Sequence, residues 1–312
     1  MSAGPLYIAG HRGLVGSAIW RLAERRSIDV VGRTSAELDL AQTPEVHRFI
    51  GETEPSSMII AAAKVGGILA NFTYPADFIS ENLYIQLNLL NAAVRHEVPK
   101  VLFLGSSCIY PKFAAQPIRE DSLLTGALEP TNDAYAIAKI AGVIQVQAIR
   151  RQYGLPYVSA MPTNLYGPGD NFDLENSHVM PAMIRKMHEA KVRGDDTVVM
   201  WGTGTPKREF LHVDDMARAS LYLLEHYDDP GPINVGTGED VSIRDLAELV
   251  QQVVGFDGSL TWDTSKPDGT PRKLLDTSKI TELGWKPSIG LEDGIRSTYQ
   301  WFLQHVDVDA RV

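Results

Sequence analysis

Short apolar runs alternate with longer amphipathic stretches through the first half of the chain. The apolar runs predict strands at residues 6–9, 29–32, 58–61, 101–104 and 157–161. The stretches between them predict helices at residues 15–25, 43–54, 78–96 and 134–153. This alternation is typical of crossover units in a parallel sheet, and runs without polar alternation are expected where helices cover both sheet faces. The pattern predicts an α/β fold built on a doubly wound parallel sheet.

The pattern changes after Pro162, where glycine- and proline-rich loops interrupt the helices and strands. Residues 164–175 read as a loop, a helix is expected from near Pro181, and Asp214 or Asp215 is the expected N-cap of a helix at 216–227. These interruptions predict a smaller α/β substrate domain interleaved with the sheet domain. The expected division is 1–163 plus about 208–236 for the larger domain, and about 164–207 plus 237–312 for the smaller one.

Composition narrows the function classes. The net charge of −10 argues against nucleic acid and anionic membrane as partners, since both require a basic face. Cys108 is the one cysteine, so no intramolecular disulfide can form. No apolar run approaches the roughly 20 residues of a membrane span, and the first strand leaves no room for a signal peptide. We therefore expect a cytoplasmic enzyme, and no metal site.

A glycine pattern lies between the first strand and the first helix. Gly10, Gly13 and Gly16 have the spacing of a dinucleotide-binding turn, in which they permit a tight turn, close approach of a pyrophosphate and close helix packing. The pyrophosphate would lie on the N–H groups that open the helix. A merely flexible turn is the alternative. The pattern predicts that the larger domain is a Rossmann domain.

Two arginines indicate which dinucleotide binds. An NAD site usually has an acidic residue at the end of the second strand, but Arg33 stands there, and Arg12 lies within the glycine turn. Guanidinium groups suit the 2′-phosphate of NADP. Solvated surface arginines are the alternative. Asp39 and Leu40 are candidate adenine contacts, although Asp39 could equally cap a turn.

Tyr135 and Lys139 stand four residues apart, on one face of a predicted helix. A nearby cation lowers the pKa of a phenol and makes it a better proton donor or acceptor near neutrality. Such a pair is common by chance, but the strand end at residues 104–110, Leu-Gly-Ser-Ser-Cys-Ile-Tyr, accompanies it here. With the glycine turn, these motifs resemble the extended short-chain dehydrogenase/reductase family over nearly the whole chain.

That resemblance implies an NADP(H)-dependent oxidoreductase acting on a nucleotide-linked sugar, with Ser106 polarising the substrate carbonyl beside Tyr135. Segments 61–68, 105–111, 129–132, 162–168 and 176–179 resemble the epimerase-reductases of this family that convert GDP-4-keto-6-deoxy-D-mannose to GDP-L-fucose. The resemblance implies that Cys108 and His178 are the base and the acid of two epimerisations. From position alone, Cys108 could equally be a small buried hydrophobe, and His178 a cap.

The resemblance also implies two sets of contacts. Cofactor contacts are expected from Gly10, Arg12, Gly13, Leu14, Val15, Gly16, Arg33, Asp39, Leu40, Ala62, Ala63, Leu104, Tyr135, Lys139, Pro162, Asn164, Leu165 and His178. Substrate contacts are expected from Ser106, Ser107, Cys108, Asn164, Val179, Arg185, Trp201, Arg208 and Lys279. Relatives usually form homodimers through two long helices, here near 78–96 and 134–153, packed as a four-helix bundle.

Three rival functions differ at specific positions. A nucleotide-sugar 4,6-dehydratase usually has Thr-Asp-Glu where this chain has Ser106-Ser-Cys108. A simple 4-epimerase retains NAD, which Arg12 and Arg33 disfavour. A catalytically inactive NADP-binding scaffold has typically lost the tyrosine or the lysine, and both remain here. Another NADP-dependent nucleotide-sugar reductase or epimerase is the remaining alternative.

Overall fold

The structure is a computed structural model that describes residues 4–174, 177–266 and 268–306. Over these residues the chain forms thirteen strands: β1 Leu6–Ala9, β2 Val30–Val31, β3 Ser57–Ile60, β4 Val101–Leu104, β5 Val158–Pro162, β6 Asn164–Tyr166, β7 Thr197–Trp201, β8 Lys207–Arg208, β9 Phe210–His212, β10 Ile233–Val235, β11 Val241–Ser242, β12 Ser259–Asp263 and β13 Arg272–Lys273. It forms ten α-helices: α1 Leu14–Arg25, α2 Thr43–Thr53, α3 Ile68–Thr73, α4 Pro75–Arg95, α5 Asp133–Tyr153, α6 Val179–Arg193, α7 Val213–His226, α8 Ile243–Val254, α9 Ser278–Glu282 and α10 Leu291–His305.

Six strands form the central sheet in the order β10-β5-β4-β3-β1-β2, and every pairing is parallel. The chain therefore starts in the sheet interior at β1 and builds outward in both directions. At such a reversal of strand order, the loops at the carboxyl ends of neighbouring strands separate and leave a crevice for a ligand. The predicted doubly wound parallel sheet is confirmed.

The apolar strands bury side chains on both faces of the sheet. In β1, Tyr7 packs into the core beneath α2, α4 and α5, whereas Leu6 and Ile8 pack into the core beneath α1 and α7. In β3, Met58 and Ile60 join the first core and Ile59 joins the second. Because successive strand residues point to opposite faces, a strand covered on both sides must be apolar throughout.

The smaller sheets lie beyond Pro162. β6 pairs with β9, β7 pairs with β12, and β8 lies between β11 and β13. A third core, which includes Phe172, Ile184 and Phe302, packs around these elements. The chain forms β7, β8 and β9 outside the central sheet and then returns to it at β10. It therefore crosses between the two parts more than once. The proposed residue boundaries of the two domains stay a prediction.

Three details differ from the sequence expectation. Residues 164–175 are expected to form a loop, but Asn164–Tyr166 form β6, which pairs with β9. β2 is a two-residue strand, Val30–Val31, rather than four residues. The helix predicted at 216–227 begins earlier, at Val213, and its N-cap is His212, whose Nδ1 accepts from the Asp214 N–H at 3.1 Å. Asp215 is buried and instead accepts from the N–H groups of Ser288 and Ile289 at 3.0 and 2.9 Å. Within the described segments no helix is both long and apolar enough to cross a bilayer.

Candidate active site

The glycine turn between β1 and α1 is shaped by backbone contacts that leave no room for side chains. Gly10 has φ +82°, and a Cβ there would lie 2.7 Å from the Ala62 nitrogen at the end of β3. A Cβ on Gly16 would overlap the carbonyl oxygen of Gly10. The turn is closed by the Gly13 N–H, which donates to the Gly10 carbonyl at 2.9 Å. Gly10 and Ala62 are both predicted cofactor contacts. They are far apart in the sequence but are neighbours in the structure.

The N-terminus of α1 is available to an anion. Its N-cap is Gly13, which has no side chain to accept from the first N–H groups of the helix, carried by Leu14, Val15 and Gly16. Unpaired N–H groups at a helix start, together with the helix dipole, favour a bound phosphate or pyrophosphate. The geometry of this turn fits the pyrophosphate of a dinucleotide.

Arg12 and Arg33 are both exposed beside this turn. Both guanidinium groups lie close enough to Glu37 to help lower the pKa of its carboxyl group, after the larger effect of hydrogen bonds from Thr34. Arg33 also donates to the Gly32 carbonyl at 2.9 Å and lies 5.1 Å from the Phe49 ring centroid. The two cations converge on one patch, as a 2′-phosphate requires.

Asp39 and Leu40 follow this patch. Asp39 Oδ1 accepts from the Ala41 N–H at 2.9 Å, so Asp39 caps a turn, the second of the two roles considered for it. The Leu40 carbonyl accepts from Asn88 Nδ2 at 2.8 Å, which holds the segment against α4.

Ser106 organises the end of β4. The strand ends at Leu104, and residues Ser107–Ile109 form a 3-10 turn whose N-cap is Ser106. Ser106 Oγ accepts from the Cys108 N–H at 3.1 Å. Strand alternation does not relate Ser106 to Cys108, because the strand does not extend that far. The capped turn, rather than strand alternation, brings these two side chains together.

Cys108 has a cationic partner that the sequence did not indicate. Lys273 Nζ, on β13, donates to Cys108 Sγ at 3.4 Å. Burial raises the pKa of the thiol, but the Lys273 ammonium and hydrogen bonds involving Ser106, Lys273 and Asn132 outweigh burial and hold that pKa below its ordinary value. A thiol beside a cation is poised to form thiolate and to accept a proton. A cavity extends from Cys108 and Lys273 past Gln116, Glu129 and Asn132.

Tyr135 and Lys139 lie near the start of α5, against the end of β4. Burial and the neighbouring Cys108 raise the pKa of Tyr135, whereas a hydrogen bond with Ser106 lowers it. Lys139 is 3% exposed, its Nζ donates to the Leu104 carbonyl at 2.9 Å, and burial lowers its pKa to about 8. Its Nζ lies 6.0 Å from the Tyr135 ring centroid. A lowered Tyr135 pKa was expected beside this cation. The pKa is instead raised, because burial of the phenol has the larger effect.

His178 is the N-cap residue of α6. Its side chain keeps solvent exposure although protein atoms crowd around it, and this partial desolvation lowers the pKa of the imidazole. Among the described residues, His178 and Cys108 do not form a hydrogen-bonded pair. They lie on different elements, α6 and the turn after β4, and Val179 beside His178 is exposed.

Trp201 is one of the predicted substrate contacts. Its side chain is 62% exposed at the end of β7, and the Nζ atoms of Lys186 and Lys266 lie 5.3 and 5.5 Å from its ring centroid. An exposed indole flanked by cations suits a planar, anionic ligand. The predicted contact Arg185 points elsewhere: its Nε pairs with Glu189 at 2.6 Å and its Nη1 donates to the Phe172 carbonyl at 3.1 Å. Lys186, one residue later, occupies the position expected of Arg185.

Arg208, another predicted substrate contact, lies close to the Cys108 thiol. Burial lowers the pKa of its guanidinium, while the charges of Cys108, Asp268 and Glu129 raise it, so these groups surround it. Asp268 in turn accepts from the N–H and hydroxyl of Thr203, beyond Trp201, at 2.9 and 2.7 Å.

The predicted substrate contact Lys279 lies away from the ligand crevice. Its Nζ lies 3.3 Å from Asp229 Oδ1 and donates to the Pro232 carbonyl at 3.5 Å. Pro232 immediately precedes β10, so Lys279 lies at the amino edge of the parallel sheet. The ligand crevice is at the carboxyl edge, and Lys279 does not reach it.

The remaining predicted residues lie around the carboxyl edge. Asn164 Nδ2 donates to the Glu209 carbonyl at 2.8 Å. Ser107 is 3% exposed, inside the 3-10 turn. Four others lie at the carboxyl ends of central strands: Ala62 and Ala63 after β3, Leu104 at the end of β4, and Pro162 at the end of β5. Leu165 lies in β6.

The site unites a hydroxyl pair, Ser106 and Tyr135, with a thiol whose pKa is lowered by a neighbouring ammonium. The hydroxyls can bind a carbonyl oxygen while the thiol moves a proton on an adjacent carbon. Sequence reasoning missed Lys273, Lys186 and Asn132. Asn132 lies in segment 129–132, one of the segments that carry the family resemblance, and could have been found there. Lys273 is 165 residues from Cys108 and has no local signal.

Comparison with known proteins agrees with this arrangement. Residues 6–236 match the family described as "NAD dependent epimerase/dehydratase family". The chain is 59% identical over 302 residues to "GDP-L-fucose synthase 1" of Arabidopsis thaliana, covering 96% of this chain and 94% of that protein. It is 54% identical over 317 residues to "GDP-L-fucose synthase" of Escherichia coli (strain K12), covering 98% and 99%.

A solved structure of a gdp-l-fucose synthetase from Naegleria fowleri bound to NADP superposes with a TM-score of 0.90 at 29% identity, covering 97% of this chain and 94% of that one. The glycine turn, the Tyr135–Lys139 pair and the thiol site thus lie in a fold shared with these relatives. The chain belongs to the NAD dependent epimerase/dehydratase family, within its group of GDP-L-fucose synthases.

Proposed function

We propose that this enzyme converts GDP-4-keto-6-deoxy-D-mannose to GDP-L-fucose with NADPH, by epimerisation at carbons 3 and 5 and then reduction of the 4-keto group. The observation that carries the proposal is the contact between Cys108 and Lys273 at 3.4 Å beside Ser106 and Tyr135. Hydride transfer to a ketone needs the hydroxyls but no thiol. A thiol whose pKa is lowered has a use when protons on the neighbouring carbons must also move.

The cofactor site fits NADPH. Gly10 and Gly16 leave space that a Cβ would fill, the start of α1 offers N–H groups to the pyrophosphate, and Arg12 and Arg33 suit a 2′-phosphate. Lys139 is proposed to hold the nicotinamide ribose. When bound, NADPH supplies the hydride for carbon 4.

Ser106 and Tyr135 are proposed to bind the 4-keto oxygen throughout. A ketone at carbon 4 acidifies the C–H bonds at carbons 3 and 5, because the electrons left behind delocalise onto that oxygen. Donors already aimed at the oxygen stabilise the resulting enolate, and such donors are typically worth ~10²–10³ in rate each. The Cys108–Ser106 turn keeps the base and the oxygen-binding hydroxyl at a fixed separation.

Inversion requires two acid–base groups. The Cys108 thiolate is proposed to remove the proton from carbon 3 or 5, and His178 to return a proton to the opposite ring face. The C–H electron pair moves to the enolate and then back to carbon, so no oxidation occurs in this half of the reaction. Because desolvation lowers the pKa of the His178 imidazole, its protonated form gives up a proton more readily than an ordinary imidazolium does. After inversion, Tyr135 donates the proton that completes the new 4-hydroxyl group.

The nucleotide end of the substrate is proposed to lie against Trp201, with Lys186 and Lys266 near its phosphates or base. Arg208 lies between this cleft and Cys108, where it can neutralise the diphosphate. Asn164 is proposed to contact the sugar, and its amide is already oriented by the Glu209 carbonyl.

A homodimer is proposed through α4 and α5. The two helices pack against each other, and apolar side chains remain exposed on them: Tyr84, Leu87, Ile137 and Ile144. A second copy packed on the same face would bury these groups in a four-helix bundle. A cytoplasmic location is also proposed, since a reducing compartment keeps the Cys108 thiol from oxidising.

The test is to incubate the enzyme with NADPH and GDP-4-keto-6-deoxy-D-mannose in deuterium oxide and to map deuterium in the product. Deuterium at carbons 3 and 5, with one NADPH consumed per product, is the expected result. NADPH consumption without deuterium would reduce the proposal to a plain ketoreductase and remove the roles of Cys108 and His178. NADPH binding without turnover would favour an inactive scaffold.

A further inference from the structure

Glu209 is a fully buried carboxylate that the proposed mechanism does not use. It lies between Arg208 at the end of β8 and Phe210 at the start of β9. Burial raises the pKa of its carboxyl group, against the lowering effect of the hydrogen bonds it accepts. A buried carboxylate is costly unless its oxygens are satisfied, so the partners of this group identify what it holds in place.

Its two oxygens bind two different segments. Oε1 accepts from the N–H groups of Thr237 and Gly238 at 2.6 and 2.7 Å, and from Thr237 Oγ1 at 3.4 Å. Oε2 accepts from the Leu275 N–H at 3.1 Å. A Cβ on Gly236 would overlap Oε1, so the loop after β10 passes directly over the carboxylate. Glu209 therefore fastens the end of the central sheet to the segment after β13.

The segment after β13 carries the thiol's partner. Leu275 follows Lys273 by two residues, and β13 pairs in parallel with β8, with Lys273 opposite Arg208. Strand pairing fixes the segment before Lys273, and the Glu209 carboxylate fixes it afterwards, together with Gln116 Oε1, which accepts from the Leu274 N–H at 2.9 Å. The 3.4 Å contact between Lys273 Nζ and Cys108 Sγ thus depends on these anchors.

We propose that Glu209 is a positioning residue that holds Lys273 against Cys108 and thereby keeps the thiol in its reactive form. The inference rests on the acid–base role proposed for Cys108. The backbone carbonyl of Glu209 also accepts from Asn164 Nδ2 and Thr163 Oγ1, at 2.8 and 3.3 Å. Glu209 therefore contacts the segment that carries Lys273 and the Asn164 amide, and it follows Arg208 directly in the chain.

Glu209→Gln separates this role from simple space filling. Glutamine has nearly the same shape, but only one of its terminal atoms accepts hydrogen bonds. With its oxygen toward the two N–H groups of Thr237 and Gly238, its NH₂ group faces the Leu275 N–H, donor against donor. The segment that carries Lys273 loses one of its anchors and gains a donor–donor clash at Leu275, although its hydrogen bonds to Gln116 and Ile118 remain. Lys273 should therefore shift away from Cys108.

The thiol is measured directly, because Cys108 is the one cysteine of the chain. The rate of alkylation by iodoacetamide is followed by mass spectrometry across a pH series, without substrate, and its inflection gives the thiol pKa. Glu209→Gln is expected to raise that pKa and slow alkylation roughly fivefold at about pH 7, with the plateau at high pH unchanged. Lys273→Met removes the cation entirely, so its thiol pKa gives the increase expected from complete loss of the Lys273 contact. Glu239→Gln, a charge removal at an exposed carboxylate on the adjacent loop, should match wild type.

A double variant tests the route. In the Lys273→Met background, Glu209→Gln should add no further shift, since the cation it positions is gone. An unchanged thiol pKa in Glu209→Gln, or an equal shift in both backgrounds, would overturn the proposal. The readout needs no sugar nucleotide, so it stays informative even if the deuterium experiment excludes Cys108 as the base.

Folding is controlled separately. Circular dichroism and NADPH binding establish that each variant is folded, and bound NADPH can be used to stabilise a weakened one. If Glu209→Gln does not fold, Glu209→Asp carries the same comparison, because a side chain shorter by one methylene cannot reach both segments. It too is expected to raise the thiol pKa, and a wild-type value there would overturn the proposal.

Discussion

Replacing Lys139 with methionine should change the way stability depends on pH. The Lys139 ammonium is 3% exposed, and burial lowers its pKa from 10.5 to about 8. In the unfolded chain the amine keeps its proton up to about pH 10.5, whereas in the folded chain it loses the proton near pH 8. Between those values the unfolded state binds more protons, so the free energy of unfolding rises with pH. Below about pH 8 both states are protonated and the folded chain carries the full cost of the buried charge.

The magnitude follows from the shift. A difference of about 2.5 units corresponds to about 3 kcal/mol at 1.36 kcal/mol per unit, and about 2 kcal/mol of it falls between about pH 7 and about pH 9.5. Methionine has a similar length and no charge, so Lys139→Met lacks this dependence. The stability of wild type minus that of the variant should therefore increase by about 2 kcal/mol over the same interval.

The assay is urea unfolding of the cofactor-free protein across this pH range, followed by tryptophan fluorescence. Other groups titrate in the same range, but they are common to both proteins and cancel in the difference. Lys286→Met removes an ammonium from an exposed position and should leave the difference nearly constant. A constant difference for Lys139→Met as well would refute the reasoning, since it would mean that the folded chain does not disfavour the Lys139 charge.

Three further predictions concern the site. Tyr135→Phe should lower NADPH oxidation on the 4-keto sugar by about 10²–10⁴-fold while NADPH binding, followed by fluorescence, is retained; undiminished turnover would exclude Tyr135 as proton donor. Lys186→Met should raise the KM for the GDP-sugar several-fold with little change in kcat, because it weakens binding beside Trp201; Arg185→Met should instead lower the melting temperature, since Arg185 holds Glu189 and the Phe172 carbonyl. Arg33→Ala should raise the KM for NADPH but not that for NADH, and a parallel rise in both would place the 2′-phosphate elsewhere.

The central fold could be predicted because its strands are covered on both faces. A run such as Val101–Leu104 is apolar throughout and cannot be confused with a surface strand. The shortest strands of the smaller sheets escaped prediction for the opposite reason. β8, β11 and β13 have two residues each, so they have no periodicity to detect, and only pairing with distant segments makes them strands.

The site divides in the same way. Ser106 and Cys108 lie within one motif, and the family resemblance of that motif identified them as candidates. The capped turn that joins them could not be predicted, since it depends on where β4 ends. Lys273 could not be found, because its importance comes only from its 3.4 Å approach to a thiol 165 residues away. Sequence spacing could not show that Lys186, rather than Arg185, lies beside Trp201, because that depends on the directions of the two side chains.

The strand order of the central sheet has a consequence for synthesis on the ribosome. β10, at residues 233–235, is the last strand of that sheet to be synthesised, and the other five strands are complete by residue 162. Until residue 235 leaves the ribosome, β5 has an open edge that can pair with another chain. The enzyme thus carries an exposed parallel edge through the translation of more than seventy residues, so a pause in that stretch should promote aggregation, and a chaperone that shields β5 should suppress it.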